Sequence, residues 1–462
     1  MSAPRGSVEL RAPSVWERPF LWVTVGAVAL IFLAATQALA VTTVMPVVSD
    51  DLDGDRLYAV AFAGTLATSV VGMVAVGAWC DRGGVLAPLS TAVGLFVVGL
   101  LIAGLAPSMP ALVAGRLVQG LGTGGQTVAL YVVVARVYPA VVHGRVFAAF
   151  SAAWVVPSLI GPFLAGAVAE FLHWRWVFLG VAVLTVVAFL LVVARLRGLP
   201  LDTDEPATGK VAPRLACAFV VALGALGLSL AGELGRWAWL GVLASVVVVA
   251  VAARPLLPAG ALRAARGLPS VVLMRGLIAG ALFGAEIYIP YLLIDDYGFS
   301  PTWAGLGLTA AALAWAGAAE VQGRVGDRLG NTRITLIGSS LLVGSLLIAV
   351  ATALLGLAPA VLIAGWSFAG AGMGLMYPRL TVLTLAYSNP QNQGFNSSAL
   401  SISDAVGSAA SIAIMGLVFT LLIGTDAGFP AVFAIGTLLA LTALVPGLRL
   451  GHAHEARPPT PS

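Results

Sequence analysis

The sequence predicts an all-α polytopic membrane protein, with two six-helix halves joined by a central two-helix hairpin, and three observations carry that expectation. The first is composition: of 462 residues 60% are apolar and 10% charged, against roughly 25% charged in a soluble domain. So few ionisable groups cannot cover a globule of this size in water, so most side chains must face hydrocarbon or one another. The second is the recurrence of apolar stretches close to the roughly 20 residues that cross a bilayer. The third is a sequence repeat between the two ends of the chain.

The apolar stretches fall near 21–46, 58–79, 88–106, 111–134, 147–171 and 177–194, then as a compact pair at 214–232 and 237–253. Six more follow near 270–294, 303–320, 334–354, 360–385, 396–423 and 429–448, so fourteen spans are expected. The first is too long for a signal-peptide core and lacks a small-residue cleavage site, which reads as a retained helix. Loop charge tests the count, because a wrong number of spans scrambles the positive-inside rule. With both termini cytoplasmic, 18 of the 24 Lys and Arg lie inside, while Asp50, Asp51, Asp53, Asp55, Asp295, Asp296 and Asp426 collect outside. The expected organisation is a tail at 1–20, a six-helix half at 21–195, a loop at 196–213, the hairpin at 214–253, a linker at 254–269, a second half at 270–448 and a tail at 449–462.

Several function classes are excluded on composition. Cys80 and Cys217 make neither a disulfide framework nor a cysteine metal site. The four histidines, His143, His173, His452 and His454, lie in loops or the tail, which argues against the interfacial metal or acid–base cluster of a membrane transferase. A net charge of +4, well spread, leaves no nucleic-acid footprint. No G-x-x-x-x-G-K-[ST] loop is present for ATP. The reading is therefore a non-enzymatic membrane protein without metal or cofactor.

The repeat is G-x-x-x-D-R-x-G. Gly77, Asp81, Arg82 and Gly84 follow the second span; Gly323, Asp327, Arg328 and Gly330 follow the tenth, 246 residues later. A six-span half needs about 200 residues, and the surplus fits one hairpin. A duplicated six-span unit is the mark of a transporter with two pseudo-symmetric halves. In this the chain resembles the major facilitator superfamily along nearly its whole length, and its central hairpin is similar to that of the 14-span drug:proton antiporter branch.

The resemblance implies roles for particular residues. It makes each Asp-Arg pair a latch of the cytoplasmic gate; Val85 and Leu86 stand where basic residues are usual in the first copy, which leaves the second copy cleaner. Arg116-Leu-Val-Gln119-Gly120-Leu-Gly122 matches R-x-x-Q-G-x-G, whose arginine is associated with proton coupling. Pro157, Gly161, Pro162 and Gly166 resemble the antiporter bend, and Trp174-Arg175-Trp176-Val177-Phe178 matches W-R-W-x-F. The implied function is proton-coupled export of hydrophobic or amphipathic compounds, of the multidrug or antibiotic efflux type, by alternating access in a bacterial plasma membrane. Uptake or facilitated transport of a polar solute and export of a lipid or metabolite are the alternatives, with a membrane transferase behind them.

Ionisable groups inside a span are costly and mark function. Glu286, 16 residues into the ninth span, is placed to load and release a proton, and Asp404, in the thirteenth, is a second proton or substrate group. Arg116 and Arg379 occupy spans four and twelve, and each must meet a carboxylate, backbone carbonyls or water. Arg275 reads as an interfacial anchor whose side chain snorkels. Span one carries Gln37 where the 14-span exporters often place an aspartate, which shifts the coupling burden to Glu286. The expected substrate cavity comprises Gln37, Gln119, Gln126, Tyr131, Trp154, Tyr288, Tyr291, Trp315, Tyr377 and Arg379, a set suited to large apolar ligands held by area and stacking.

Overall fold

The computed structural model describes residues 20–53, 57–197, 201, 207, 210–299, 301–422 and 425–451. Every regular element among them is helical. The first half comprises α1 (Leu21–Asp51), α2 (Tyr58–Cys80), α3 (Leu86–Gly104), α4 (Met109–Val137), α5 (His143–Phe171) and α6 (Arg175–Leu196). The hairpin is α7 (Ala212–Leu230) and α8 (Ala238–Ala253), joined by a 3-10 turn. The second half runs through α9 (Leu268–Glu286), α10 (Tyr288–Asp295), α11 (Pro301–Leu329), α12 (Asn331–Leu355), α13 (Pro359–Ala386), α14 (Gln393–Leu421), α15 (Gly428–Thr442) and α16 (Leu444–Gly447).

Each of the fourteen apolar stretches is helical, but twelve described helices are long and apolar enough to cross a membrane by that measure alone. The other two are α7, an apolar helix described over Ala212–Leu228 in this respect, and α11, whose inner turns carry Glu320, Arg324, Asp327 and Arg328. The last span is split by a one-residue break at Ala443, giving α15 and α16. The ninth span is likewise α9 and α10, continuous in direction: Ile287 keeps helical angles (φ −60°, ψ −32°). Pro290 explains the interruption, because it has no N–H for the Glu286 carbonyl four residues earlier.

The repeat seen in the loops extends into helix packing. Gly120 and Gly124 of α4 press on the carbonyls of Thr65 and Ser69 in α2, and Gly370 and Gly374 of α13 press in the same way on Ala311 and Trp315 of α11. Thr65 and Ala311 are 246 apart, the spacing of the loop motifs. In a bilayer no hydrophobic drive brings helices together, so small residues that allow backbone contact do that work. The two apolar cores are correspondingly separate, one centred on Leu30, Phe96, Leu130 and Phe178, the other on Met274, Leu346, Trp366 and Phe433.

Candidate functional site

The halves meet along two seams at the end of the bundle that carries the loop motifs. In one, α2 lies on α14 so closely that a Cβ on Gly77 would come to 2.6 Å from the Gly394 carbonyl oxygen. Ser398 of α14 donates to the Met73 carbonyl at 2.7 Å. The Asp81 carboxylate accepts from the backbone N–H groups of Gly394 (2.6 Å) and Phe395 (2.8 Å). These belong to the first turn of α14, whose own Asn392 supplies no side-chain cap. Asp81 thus caps a helix of the opposite half, where free N–H groups and the positive end of the helix dipole favour an anion.

The first loop motif thus joins the two halves through Asp81 and not through an Asp-Arg pair. Arg82 turns back to the Ala78 carbonyl of its own helix at 2.9 Å. The cation at this junction is Arg136 at the end of α4, which donates to the carbonyls of Cys80 (2.8 Å), Gly83 (3.0 Å), Leu201 (2.6 Å) and, across the seam, Pro390 (3.3 Å). In the sequence Arg136 is one inside-loop charge among many, and carbonyl acceptors leave no side-chain signature to find it by. Burial pushes the Asp81 carboxyl up to about 6, against the opposing pull of the two amides and of Arg136 and Arg214.

In the second seam α5 meets α11 through Gly144 and Gly323, where the spacing is looser: a Cβ on Gly144 would lie 3.7 Å from the Gly323 Cα. The Asp327 side chain lies outside the described residues. Gly330 takes φ +80° to start α12, and Arg328 is exposed. Arg379, expected in the substrate cavity, is buried beside the second motif instead and donates to Asn331 Oδ1 at 2.7 Å.

Deeper in the second half, Arg275 of α9 is 7% exposed and is no interfacial anchor. Its Nε binds Asp404 Oδ1 of α14 at 2.8 Å, and its Nη1 donates to the Tyr377 carbonyl of α13 at 3.2 Å. The Tyr377 hydroxyl donates to the same Asp404 oxygen at 2.6 Å, and the guanidinium lies 3.4 Å from the Tyr377 ring centroid. Spacing on one helix placed Arg275 near a span end; only the neighbouring helices show that it points inward to an acid 129 residues away. Tyr131 of α4, from the other half, lies in the electrostatic field of both Arg275 and Asp404. Trp315 packs edge-on against Tyr377 with centroids 5.0 Å apart and Phe283 next to it.

Glu286 ends α9 at the Pro290 interruption, half-buried, with no hydrogen bond or ion pair to another described residue. It follows Arg275 by three helical turns, so both leave α9 on one face about 16 Å apart. Beyond it Tyr288 and Tyr291 cluster on Phe419, with centroids at 5.0 and 5.3 Å.

The remaining candidates are not gathered there. Arg116 is buried and meets no carboxylate among the described residues; it donates to the Ala61 carbonyl at 3.2 Å and to Gln119 Oε1 at 2.7 Å. Gln126 donates to the Leu30 carbonyl at 3.1 Å, and Gln37 is fully buried with neither amide atom hydrogen-bonded to a described residue. Trp154 is exposed on α5. Pro157, Gly161, Pro162 and Gly166 lie within the single helix α5, and a Cβ on either glycine would make an ordinary contact at 3.9 Å, so close approach does not demand glycine there.

Comparison with known proteins agrees with this architecture. The chain is 24% identical over 411 residues to the multidrug efflux pump SdrM of Staphylococcus aureus, covering 86% of this chain and 90% of the pump. It is 28% identical over 459 residues to a probable multidrug-efflux transporter of Mycobacterium tuberculosis, covering 89% of each. Among solved structures, the human organic anion transporter MFSD10 superposes with a TM-score of 0.68 at 16% identity, over 93% of this chain and 100% of that one. A bacterial homologue of the iron transporter ferroportin, in an outward-facing state, gives 0.69 at 14% identity over 93% and 98%. The family description Major Facilitator Superfamily matches residues 26–412 and again 277–462. With its duplicated helical halves and multi-pass apolar helices, the chain belongs to the Major Facilitator Superfamily.

Proposed function

We propose that this protein is a proton-coupled exporter of hydrophobic or amphipathic small molecules, of the multidrug efflux type, working by alternating access. It acts as a monomer in a bacterial plasma membrane, crosses it fourteen times and keeps both termini in the cytoplasm. The efflux-pump names of relatives at 22–28% identity support the direction and the substrate class. The observation that carries proton coupling is the Asp404–Arg275–Tyr377 cluster, placed where the halves face each other beside Tyr131.

In this reading the Asp81 cap and the Arg136 hub hold the cytoplasmic side closed while substrate leaves outward. A proton arriving from outside passes the unpaired Glu286 and neutralises Asp404. The Arg275 guanidinium then loses its ionic partner, and the second half repacks against Tyr131 as the cytoplasmic seams part. Arg116, hydrogen-bonded inside the first half, holds α2 to α4 as a unit during that motion. Tyr377, Trp315 and the Tyr288–Tyr291 cluster offer the aromatic area that holds a substrate.

The test is proton-driven dye export in inverted vesicles. Asp404→Asn and Glu286→Gln are each expected to abolish gradient-driven transport while leaving dye binding intact. Unchanged transport in both variants refutes the coupling role, and accumulation assays with and without an uncoupler separate export from uptake.

A further inference from the structure

The hairpin α7–α8 is the one element without a counterpart in the repeat, and it lies over one seam. Val70 and Val74 of α2, Val221 of α7, Val249 of α8, Leu256 and Ile402 of α14 form a buried cluster that spans both halves. Arg214 of α7 stacks on Phe395 of α14 with its guanidinium carbon 4.3 Å from the ring centroid. Further out, Leu228 and Val242 of the hairpin pack on Ala409, Ala413 and Leu417 of α14. The hairpin therefore follows the α2–α14 seam for most of its length, holding a helix of each half.

The pseudo-equivalent α5–α11 seam differs in both respects. Its glycines approach less closely, and no hairpin residue belongs to a cluster that includes it. Arg145 and Arg324 stand exposed on either side of the Gly144–Gly323 contact, Arg324 paired with Glu320 at 2.8 Å. When the cytoplasmic ends separate, the covered seam stays sealed from lipid by apolar packing, and the bare one opens sideways.

We propose that the α7–α8 hairpin closes the α2–α14 seam to the bilayer, which makes the α5–α11 seam the side door through which amphipathic molecules of the inner leaflet reach the centre. This deepens the exporter reading by naming the route of its substrate, and rests on it.

The experiment measures lipid entry and not transport, so its outcome is independent of whether export is proton-driven. Full-length protein is placed in phosphatidylethanolamine and phosphatidylglycerol vesicles doped with a phospholipid that carries a diazirine in its tail. After illumination, the modified peptides are mapped. In the gate-loosened Gly394→Ala variant, labelling of the facing surfaces at 144–152 and 316–323 is expected to rise about fivefold or more over the parent. Labelling at 70–74 and 398–402 stays at the parent level. Loosening the cover with Arg214→Ala, or independently with Leu256→Ala, brings label to 70–74 and 398–402. Equal labelling of both seams in Gly394→Ala, or no rise at either, overturns the proposal. So does a sealed α2–α14 seam in both cover variants.

Discussion

Replacing Gly394 by Ala tests the closed α2–α14 seam most directly. The added Cβ would collide with the Gly77 peptide group, lying 2.7 Å from its carbonyl carbon and 2.9 Å from Asp81 Oδ1. Backbone on both sides leaves no flexible side chain to yield, so the helix ends must part by about 1 Å to regain ordinary contact. That movement also stretches the two hydrogen bonds by which Asp81 caps α14, now 2.6 and 2.8 Å. Overpacking of this kind costs about 1–3 kcal/mol. Since only the closed state pays it, the ratio of closed to open molecules falls about 5- to 150-fold. Cys80 reports the change: it is fully buried at this seam, its carbonyl held by Arg136 at 2.8 Å, and the only other cysteine is Cys217. In a Cys217→Ser background, maleimide labelling of Cys80 in inverted vesicles is expected to accelerate by that factor in Gly394→Ala. Gly144→Ala, with 3.7 Å of room, changes it by less than about threefold. The reasoning is refuted if Gly394→Ala labels no faster than its parent, or if Gly144→Ala labels as fast.

The same reporter reads the pH response of the Asp81 cap. Asp81 binds its proton more tightly in the closed seam (about 6) than an exposed aspartate does (3.8). Closure is therefore favoured as pH falls through about 6, by at most roughly 3 kcal/mol once pH is below the exposed value. The ratio of Cys80 labelling in the parent to that in Asp81→Asn should fall on acidification, and a flat ratio from pH 7 to 5 contradicts the assignment. Arg275→Gln leaves Asp404 with the Tyr377 hydroxyl alone and should destabilise by about 1–3 kcal/mol. Adding Asp404→Asn restores most of that; thermal unfolding in detergent measures both, and equal melting of single and double variants argues against a working pair. Arg116→Leu leaves the Gln119 amide oxygen buried without its donor, at about 1–3 kcal/mol. The Arg116→Leu/Gln119→Leu double variant should melt higher than the single one.

The membrane class, the fourteen helical stretches and the duplicated halves were legible in the sequence because they depend on quantities local to the chain. Apolar length, loop charge and a motif copied at a spacing of 246 need no knowledge of neighbours. The interior ionisable residues could be shortlisted for the same reason, and Glu286 and Asp404 came from that list. Their partners could not. Asp81 is satisfied by two backbone amides more than 300 residues away, and Arg136 chiefly by carbonyls, groups that every residue carries and no sequence pattern marks. The Asp-Arg dipeptide suggested a neighbouring pair, while the fold gave the acid to the opposite half and turned its arginine back on its own helix.

Arg275 shows the same division within one helix. Its distance from the span end allowed a side chain that snorkels to water, and nothing in the ninth span alone says which way that side chain faces. The packing of α9 against α13 and α14 decides it, by offering Asp404 and Tyr377 in a place where an unpaired cation would be too costly. Likewise, hydropathy identified the central hairpin as two apolar helices, but only the assembled bundle laid them across the α2–α14 seam. Composition determined that this protein lives in a bilayer and is built twice over; tertiary structure decided which charges meet, because pairing energy depends on distances between helices that the chain order does not contain.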